Sequence, residues 1–378
     1  MEYVQLKEIC SINMGQSPDS KSYNNDGNGM PFYQGNADFG ETHPVTRVWC
    51  TEPTKIAEKD DILLSVRAPI GALNIADETC CIGRGLAAIT PNAKLATTTF
   101  IYWCLKCKNA ELNSKGTGST FKAINKKTLE ETLIPKVSFA EQQYISETLQ
   151  RVFSIITHRR QQLQVLDELV KARFVEMFGD PVSNEKGWRT KPLLELGSCK
   201  NGMNFHYDDS GIEINCLGVG DFKDHSVIKN TADLPTVSLN EMPSEEYLLK
   251  DDDIVFVRSN GNKALVGRSI AVYPAETPTT FSGFCIRFRK TDDAVLVPYL
   301  LRVLKTDSIR TKMVGRGANI QNLNQQTLGS LVIPMPPIEL QKQFVSFAKQ
   351  LDKSKVVVQK ALDEAQLLFG SLMQKYFG

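Results

Sequence analysis

Two long segments of the chain carry apolar residues at alternating three- and four-residue steps, which is the period of a coiled coil. The first segment follows Pro135, and its apolar positions are Ile145, Leu149, Val152, Ile156, Leu163, Leu166, Val170, Phe174 and Met177. The second follows Pro336-Pro337, and its positions are Phe344, Phe347, Leu351, Val358, Leu362, Ala365, Phe369, Leu372 and Tyr376. Each pattern predicts a helix of about 38 residues, roughly 57 Å long. Because neither helix can bury its stripe alone, we expect the two to pair.

Start and stop signals mark the ends of the first helix. Ser138 and Glu141 form the S-x-x-E pattern of a capping box, which satisfies free backbone amides of the first turn. Gly179, followed by Asp180-Pro181, is typical of a helix end. Pro336-Pro337 before the second helix suits a first helical turn.

The residues that lead into the two helices match at a constant difference of 199 in residue number, from 324 − 125. The aligned sets are Asn125, Thr128, Leu129, Ile134, Pro135 and Gln142 with Asn324, Thr327, Leu328, Ile333, Pro334 and Gln341. Phe178-Gly179 and Phe377-Gly378 extend the same register to the ends of both helices. We interpret this as an internal duplication, in which a globular part and then a helical part occur twice.

The globular parts also resemble each other. Leu6–Gly15 is similar to Leu193–Gly202, and Lys59–Arg67 is similar to Asp251–Ser259 if one residue is gapped. Strand-like runs such as DILLSV and DIVFVR alternate with turn-forming stretches such as NNDGNG and SNGNKALVG. A helix-like TTFIYWCLKCKNAEL follows in the first part. These patterns predict a mixed domain of helices and strands in each half.

The predicted fold class is therefore α+β with an internal pseudo-repeat. Two mixed domains, residues 1–134 and 181–333, are separated by a two-helix antiparallel coiled coil formed by residues 135–180 and 334–378. The helices can pair antiparallel only if the second domain lies at the far end of the rod from the first.

Composition limits the class of protein. The 378 residues are 42% hydrophobic and 23% charged, which is typical of globular proteins. No run approaches the roughly 18 apolar residues of a membrane span, and the first ten residues lack a signal-peptide pattern, so we expect a cytoplasmic location and no membrane partner. The nine cysteines lack the spacing of a disulfide framework, which favours free thiols. A net charge of +1 argues mildly against a freestanding DNA-binding protein.

No arrangement of residues predicts catalysis or a metal site. Cys104 and Cys107 have metal-like spacing, but no second pair or paired histidines accompany them. The glycines around Thr117 lack the remaining residues of a P-loop. Asp180 and Glu185 faintly suggest a nuclease, but a linker that ends the helix explains them better. We therefore predict a protein that is not an enzyme and has no cofactor of its own.

The duplicated IP…Q step into a long helix that ends near FG resembles the specificity subunit of type I restriction–modification systems. DILLSVRAPIG and DIVFVRSNGNKALVG, each leading into a glycine-rich loop, resemble the same family. The resemblance covers essentially the whole chain. It implies that the two globular parts are target recognition domains, each reading one half of a split DNA sequence. The two helices would be the conserved regions that set the spacing and dock modification subunits.

The resemblance also implies the partners. They are double-stranded DNA, two modification (methyltransferase) subunits and, in the full complex, restriction subunits that translocate and cleave DNA. S-adenosylmethionine, ATP and Mg²⁺ are expected only on those subunits, and this chain lacks the N-P-P-Y-type tetrapeptide of an adenine methyltransferase. If the partners help to enclose the duplex, this chain need not neutralise all the phosphates itself.

Candidate DNA contacts lie on polar loops, because Arg, Lys, Asn and Gln are the residues that read base edges. In the second half, one loop offers Arg258, Ser259, Asn260, Asn262, Lys263 and Arg268 around two glycines. Its counterpart in the first half offers Arg67 in SVRAPIG, together with Arg84 in CIGRGLAA. A second set of loops precedes the repeated N-x-x-T-L step, with Lys115, Thr117, Ser119 and Lys122 in the first half and Arg316, Asn319, Gln321 and Asn322 in the second. The alternative is that these loops are solvated hairpins or connectors.

Two other functions remain open from the sequence. One is a self-contained enzyme that modifies or cleaves DNA, and the other is a coiled-coil scaffold with two protein-binding domains.

Overall fold

Residues 2–118, 122–205, 210–222, 227–314 and 322–378 are described by the computed structural model of the chain. By their contacts they divide into unit 1, Met1–Gln161 with Val358–Gly378, and unit 2, Gln162–Val357. Both long helices therefore contribute residues to both units. Four of the predicted contact residues lie outside the described residues: Ser119, Arg316, Asn319 and Gln321.

The first half of the chain consists of short strands and helices followed by one long helix. The strands are β1 (Tyr3–Gln5), β2 (Cys10–Met14), β3 (Tyr23–Asn24), β4 (Met30–Tyr33), β5 (Trp49–Cys50), β6 (Ile56–Ala57), β7 (Ile62–Ser65), β8 (Leu73–Ile75), β9 (Cys80–Ile82), β10 (Leu86–Pro91) and β11 (Leu133–Pro135). The helices are α1 (Leu6–Ile9), α2 (Thr98–Cys107), α3 (Asn109–Ser114), α4 (Lys126–Glu130) and α5 (Phe139–Phe178).

The strands of unit 1 form two larger sheets and one pair. One sheet has the order β2-β10-β7-β8 and is antiparallel throughout. The other has the order β3-β5-β4-β9-β6, in which β4 and β9 run parallel. Alternate residues of β7 face two different clusters, since Ile62 and Leu64 pack in one and Leu63 packs in the other. Burial of both faces explains why this strand is a continuous apolar run.

The second half also consists of short strands and helices followed by one long helix. Its strands are β12 (Thr190–Pro192), β13 (Gly197–Asn201), β14 (Ile212–Leu217), β15 (Val227–Ile228), β16 (Thr236–Leu239), β17 (Asp253–Val257), β18 (Ser269–Val272), β19 (Thr279–Phe281), β20 (Cys285–Lys290) and β21 (Val332–Pro334). Its helices are α6 (Val297–Leu304), α7 (Asp307–Val314), α8 (Gln325–Gly329) and α9 (Ile338–Phe377).

The strands of unit 2 form a sheet of order β13-β20-β17-β18-β15, a sheet of order β16-β14-β19 and the pair β12-β21. As β4 does with β9 in unit 1, β14 runs parallel to β19. Residues of β17 again alternate between two clusters, with Ile254 and Phe256 in one and Val255 and Val257 in the other. Asp252, before β17, has a φ of 68°, and Asp60, before β7, has a φ of 69°.

The helix-like stretch in the first half is two helices, not one. The break falls at Lys108, which lies between α2 and α3 and has a ψ of 2°. The Asn109 Nδ2 then donates to the Gly71 oxygen at 2.7 Å, and the Asn113 Nδ2 donates to the Ile70 oxygen at 2.6 Å. Because of these bonds, α3 supports the loop after β7.

The repeated glutamine has the same long-range role in each half. The Gln142 Oε1 accepts from the Thr97 amide at 3.0 Å, and its Nε2 donates to the Leu95 oxygen at 3.0 Å. The Gln341 Oε1 accepts from the Leu296 amide at 2.9 Å, and its Nε2 donates to the Ala294 oxygen at 2.9 Å. Each buried amide thus ties the first turn of a long helix to the loop that opens α2 or α6.

Both long helices have 40 residues, close to the predicted length. The capping box is present, since the Glu141 amide donates to the Ser138 Oγ at 3.3 Å and the Ser138 amide donates to the Glu141 Oε2 at 3.1 Å. Gly179 follows the helix with a φ of 74°, which favours glycine. All the predicted stripe positions are buried or half-buried. In the part of the chain that the structure describes, no helix has both the length and the apolar character needed to span a membrane.

The two long helices contact each other in each unit. In unit 1, the rings of Phe153 and Phe369 lie 5.9 Å apart, and both contact Trp103 of α2. In unit 2, the rings of Phe174 and Phe344 lie 5.4 Å apart.

Candidate nucleic-acid interface

In unit 1 the candidate residues surround the end of β7, where three segments are joined by backbone hydrogen bonds. The Val66 amide donates to the Gly85 oxygen at 2.9 Å, and the Val66 oxygen accepts from the Ile124 amide at 3.0 Å. Next to Val66, Arg67 forms an isolated β-bridge with Ala123. The loop after β7, the turn before β10 and the segment before α4 therefore meet at one place.

These bonds bring several candidates of the first half together. Thr117 pairs with Ala123 through two backbone hydrogen bonds, of 3.0 and 2.9 Å, and the Lys122 oxygen accepts from the Ala68 amide at 3.2 Å. Arg84 directly precedes Gly85, whose backbone oxygen accepts the hydrogen bond from the Val66 amide. Four exposed candidates, Arg67, Arg84, Thr117 and Lys122, thus belong to segments joined at this point.

Lys115 is the least available candidate of unit 1. Its Nζ lies 2.6 Å from the Glu111 Oε1, and this hydrogen bond is the main cause of a lowered pKa of Glu111. A lysine whose charge is already offset by a neighbouring carboxylate attracts a phosphate less strongly than an unpaired lysine.

Unit 2 has the same arrangement at the end of β17. The Arg258 amide donates to the Phe284 oxygen at 2.7 Å, and the Arg258 oxygen accepts from the Leu323 amide at 2.7 Å. Ser259 forms an isolated β-bridge with Asn322. The same three segments therefore meet in both units.

These bonds fix which residues correspond between the units, and the side chains differ. Val66 in unit 1 corresponds to Arg258 in unit 2, and Arg67 corresponds to Ser259. The guanidinium of Arg258 is half-buried, and its Nη1 donates to the Gly283 oxygen at 3.3 Å. The two units therefore present different chemistry at the same place.

The loop after Ser259 is folded partly by its own asparagines. The Asn260 Oδ1 accepts from the Asn262 amide at 2.7 Å, and the Asn262 Oδ1 accepts from the Ala264 amide at 3.0 Å. Such Asx turns stabilise a loop and occupy the oxygens that would read a base. Lys263, at the exposed tip, extends this polar surface.

Arg268 interacts with other cations. It lies close enough to Lys305 and Arg310 to lower the pKa of both side chains. Arg310 is held in place because its Nη2 donates to the Val266 oxygen at 3.1 Å. The cationic cluster formed by Arg268, Arg302, Lys305 and Arg310 was not predicted from the sequence.

A cavity of about 230 Å³ adjoins this cationic cluster. Its lining residues are Lys171, Phe174, Val175, Asp180, Pro181, Arg302, Lys305, Thr306, Asp307 and Ser308. Burial, followed by repulsion from Arg302, Arg310 and Arg268, lowers the pKa of Lys305 to about 8. The Asp180 carboxylate on the same cavity accepts from the Val182 amide at 2.8 Å, so it acts as a cap after α5.

Cys104 and Cys107, whose spacing alone resembles that of metal ligands, lie in and beside the hydrophobic core of unit 1. Burial raises the pKa of Cys104 well above that of a free thiol. Among the residues that the structure describes, no group of three or more His, Cys, Asp and Glu side chains could hold a metal ion.

A family model described as the type I restriction modification DNA specificity domain matches residues 1–167 and 185–365. The chain belongs to this specificity family. The family expected from the IP…Q and FG motifs is thus confirmed.

Named relatives agree with this membership. The putative type I restriction enzyme MjaX specificity subunit of Methanocaldococcus jannaschii is 40% identical over 172 residues, which are 45% of this chain and 40% of that protein. The MjaIX specificity subunit of the same organism is 22% identical over 412 residues, 97% of this chain and 92% of that protein. The crystal structure of the type I restriction–modification S subunit from M. genitalium has a TM-score of 0.61 at 16% identity, covering 100% of this chain and 96% of that chain. It supports a mixed fold of helices and sheets like that of an S subunit.

Phe284 lies at the candidate interface of this specificity-family chain, but it was not identified from the sequence. Phe284 is 61% exposed, and its oxygen accepts the Arg258 amide at the centre of the unit 2 arrangement. The stretch Ser282-Gly283-Phe284 looks like an ordinary turn in the sequence. Alignment at the difference of 199 would have paired Phe284 with Gly85 and singled it out.

The cationic cluster gives a testable dependence of stability on pH. An unfolded lysine has a pKa of about 10.4, whereas the pKa of the folded Lys305 is lowered to about 8. Between these values the unfolded chain binds more protons, so this group makes the free energy of unfolding rise with pH. Below pH 8, Lys305 is charged in both the folded and the unfolded chain, so the whole destabilising effect of its buried charge is present.

We therefore expect Lys305→Met, which keeps the aliphatic stem, to raise Tm by a few degrees at pH 7. The difference from the unmodified chain should shrink between pH 8 and 10 in scanning calorimetry. Lys171→Met, which removes an exposed lysine on the same cavity, is the control. A difference that stays constant to pH 10 would show that Lys305 acts through packing.

Proposed function

We propose that this chain is the DNA-recognition subunit of a type I restriction–modification complex. Each unit reads one half of a split target. The observation that carries this proposal is the shared arrangement at the ends of β7 and β17, which joins the same three segments but presents Arg67 beside Val66 in one unit and Ser259 beside Arg258 in the other. A common backbone with different side chains is suited to two different half-sites.

The long helices are the spacer in this proposal. We propose that α5 and α9 form an antiparallel coiled coil, within an internal pseudo-repeat whose parts are residues 1–134, 135–180, 181–333 and 334–378. The Phe153–Phe369 and Phe174–Phe344 contacts support this direction of pairing. A stiff spacer between two reading units imposes a fixed half-site separation, as the interface does in symmetric DNA-binding dimers.

The partners follow from the same proposal. Two modification subunits dock on the helices and methylate DNA with S-adenosylmethionine, and restriction subunits join them with ATP and Mg²⁺. This chain contributes recognition without catalysis and acts in the cytoplasm, where it meets DNA. The purified chain should therefore neither methylate nor cleave DNA when S-adenosylmethionine or Mg²⁺ is supplied, and a reaction without partners would favour a self-contained enzyme.

The test of this function is a map of adenine methylation in a host that carries the chain with its modification partner. We expect a split motif that disappears when the gene is deleted. An unchanged map, together with no DNA binding by the assembled complex, would favour the scaffold with two protein-binding domains.

Arg258 and Arg67 test the assignment of halves. We expect Arg258→Ala to change the methylated sequence in one half of the motif and Arg67→Ala to change only the other half. A lost arginine–base contact costs about 1–3 kcal/mol, or roughly tenfold in discrimination. Each variant is the control for the other. If either variant weakens methylation of all sequences equally, its arginine binds phosphate and does not read bases.

A further inference from the structure

Phe284 is an apolar side chain in a polar place. Its ring is 61% exposed, and within the described residues it belongs to none of the hydrophobic clusters of unit 2. The residues bonded to its backbone are Arg258 and Ser259, which belong to the candidate DNA-contacting loop. A large exposed aromatic ring gains free energy when a partner removes it from water.

The backbone that carries this ring is fixed. The Phe284 oxygen accepts from the Arg258 amide at 2.7 Å and from the Ser259 amide at 3.3 Å, and its own amide donates to the Ser282 Oγ at 3.3 Å. The preceding Gly283 amide donates to the Met203 oxygen at 2.6 Å. Binding would therefore require little ordering of the backbone, which reduces the entropic cost.

Unit 1 cannot place a ring at the corresponding position. The residue there is Gly85, whose oxygen accepts from the Val66 amide as the Phe284 oxygen does from Arg258. A Cβ on Gly85 would overlap the Gln34 backbone oxygen. The ring is thus a feature of unit 2 alone, on a backbone connection that both units share.

We propose that Phe284 contacts the apolar surface of a DNA base in the half-site that unit 2 reads. This inference rests on the proposed function. Two base groups have the required chemistry, namely the 5-methyl group of thymine in the major groove and the face of a base that the ring partly unstacks. Amides and cations on the adjacent loop hold the phosphates and polar base edges, while the ring supplies apolar discrimination.

The test uses the complete chain assembled with its modification subunits and duplexes that carry the mapped target. We expect Phe284→Ala to lower affinity roughly tenfold, since base–aromatic contacts of about 1–3 kcal/mol correspond to that range. Met242→Ala is the matched control, because Met242 is also an exposed apolar residue, at 47%. It lines a groove with Asp251, which precedes the start of β17, whereas the candidate loop follows the end of β17. The affinity of this control should be unchanged. Far-UV circular dichroism and Tm should not differ between the two variants.

Two further arms distinguish the base groups. If the ring contacts a methyl group, replacing thymine by deoxyuridine in the unit 2 half-site lowers the DNA affinity of the complex that carries the original chain. The same replacement leaves the affinity of the Phe284→Ala complex unchanged. Phe284→Leu then keeps most of the affinity for the thymine-containing target. If the ring stacks, 2-aminopurine placed in that half-site changes its fluorescence with the unmodified complex only, and Phe284→Leu loses affinity.

The outcomes separate this inference from the function on which it rests. An unmodified complex that shows no preference for the mapped target would overturn the proposed function itself. If the unmodified complex is sequence-specific but Phe284→Ala binds equally well, only the role of Phe284 is refuted. A loss that is equal for every half-site sequence would also refute it, because the ring would then not read a base.

Discussion

Four residues inserted into both long helices should lengthen the spacer between the methylated half-sites by one or two base pairs. The insertions would lie between Ile156 and Leu163 in α5 and between Val358 and Leu362 in α9. Four helical residues add about 6 Å, compared with about 3.4 Å for each base pair. They also exceed one helical turn by about 40°, close to the twist between adjacent base pairs at 10–10.5 base pairs per turn. A reading unit displaced and rotated in this way meets the groove again one or two base pairs further along.

Methylation mapping checks this result directly, because the half-site sequences should stay the same while the spacer changes. The same four residues inserted at Gly27 are the control, since this exposed turn has nothing within 4 Å of an added Cβ. That variant should keep the original spacer. An original spacer in the helix variant as well would refute the idea that α5 and α9 act as a ruler. Insertion into α5 alone should abolish methylation at any spacing, because it shifts the apolar stripe against α9.

The bounds of the long helices could be predicted because their signals are local. The Ser138–Glu141 capping box and Gly179 act within a few residues of the helix ends, and both are present in the structure. The apolar stripe is a local property of the sequence as well. The function of Gln142 could not be predicted in this way, although its repetition at Gln341 was visible. Its partners, Leu95 and Thr97, lie more than forty positions away and are selected by tertiary packing.

The candidate interface was only partly predictable, for a related reason. The sequence identified the loops that follow β7 and β17, because glycine and polar residues there are typical of turns. The gap introduced into the alignment of Lys59–Arg67 with Asp251–Ser259 matched Arg67 with Arg258. The backbone bonds show that no gap is needed, because Arg258 corresponds to Val66 and Ser259 to Arg67. Exposure of Phe284 is likewise decided by packing around its turn and not by its neighbours in the sequence.

Gly202→Ala should strongly destabilise unit 2. Gly202 follows β13, and its amide donates to the Cys285 oxygen at 3.1 Å where the chain passes the turn before β20. A Cβ at this position would overlap the backbone oxygen of Ser282 and lie 2.5 Å from that of Phe281. Backbone atoms of a paired strand cannot move aside as a flexible side chain can, so the cost is about 3 kcal/mol. For a unit of this size, Tm should fall by about 6–12 °C.

Differential scanning calorimetry of Gly202→Ala tests the close approach of the Gly202 backbone to the Ser282 oxygen. Gly220→Ala is the control, because an added Cβ at Gly220 has nothing within 4 Å. Gly220→Ala should change Tm little. Gly15→Ala should destabilise unit 1 as Gly202→Ala does unit 2, since its Cβ would overlap the Gly83 oxygen. Equal stability of Gly202→Ala and Gly220→Ala would mean that the backbones are further apart than in the structure. The turn that Gly202 supports carries Phe284, so sequence reading by unit 2 should be lost together with its stability.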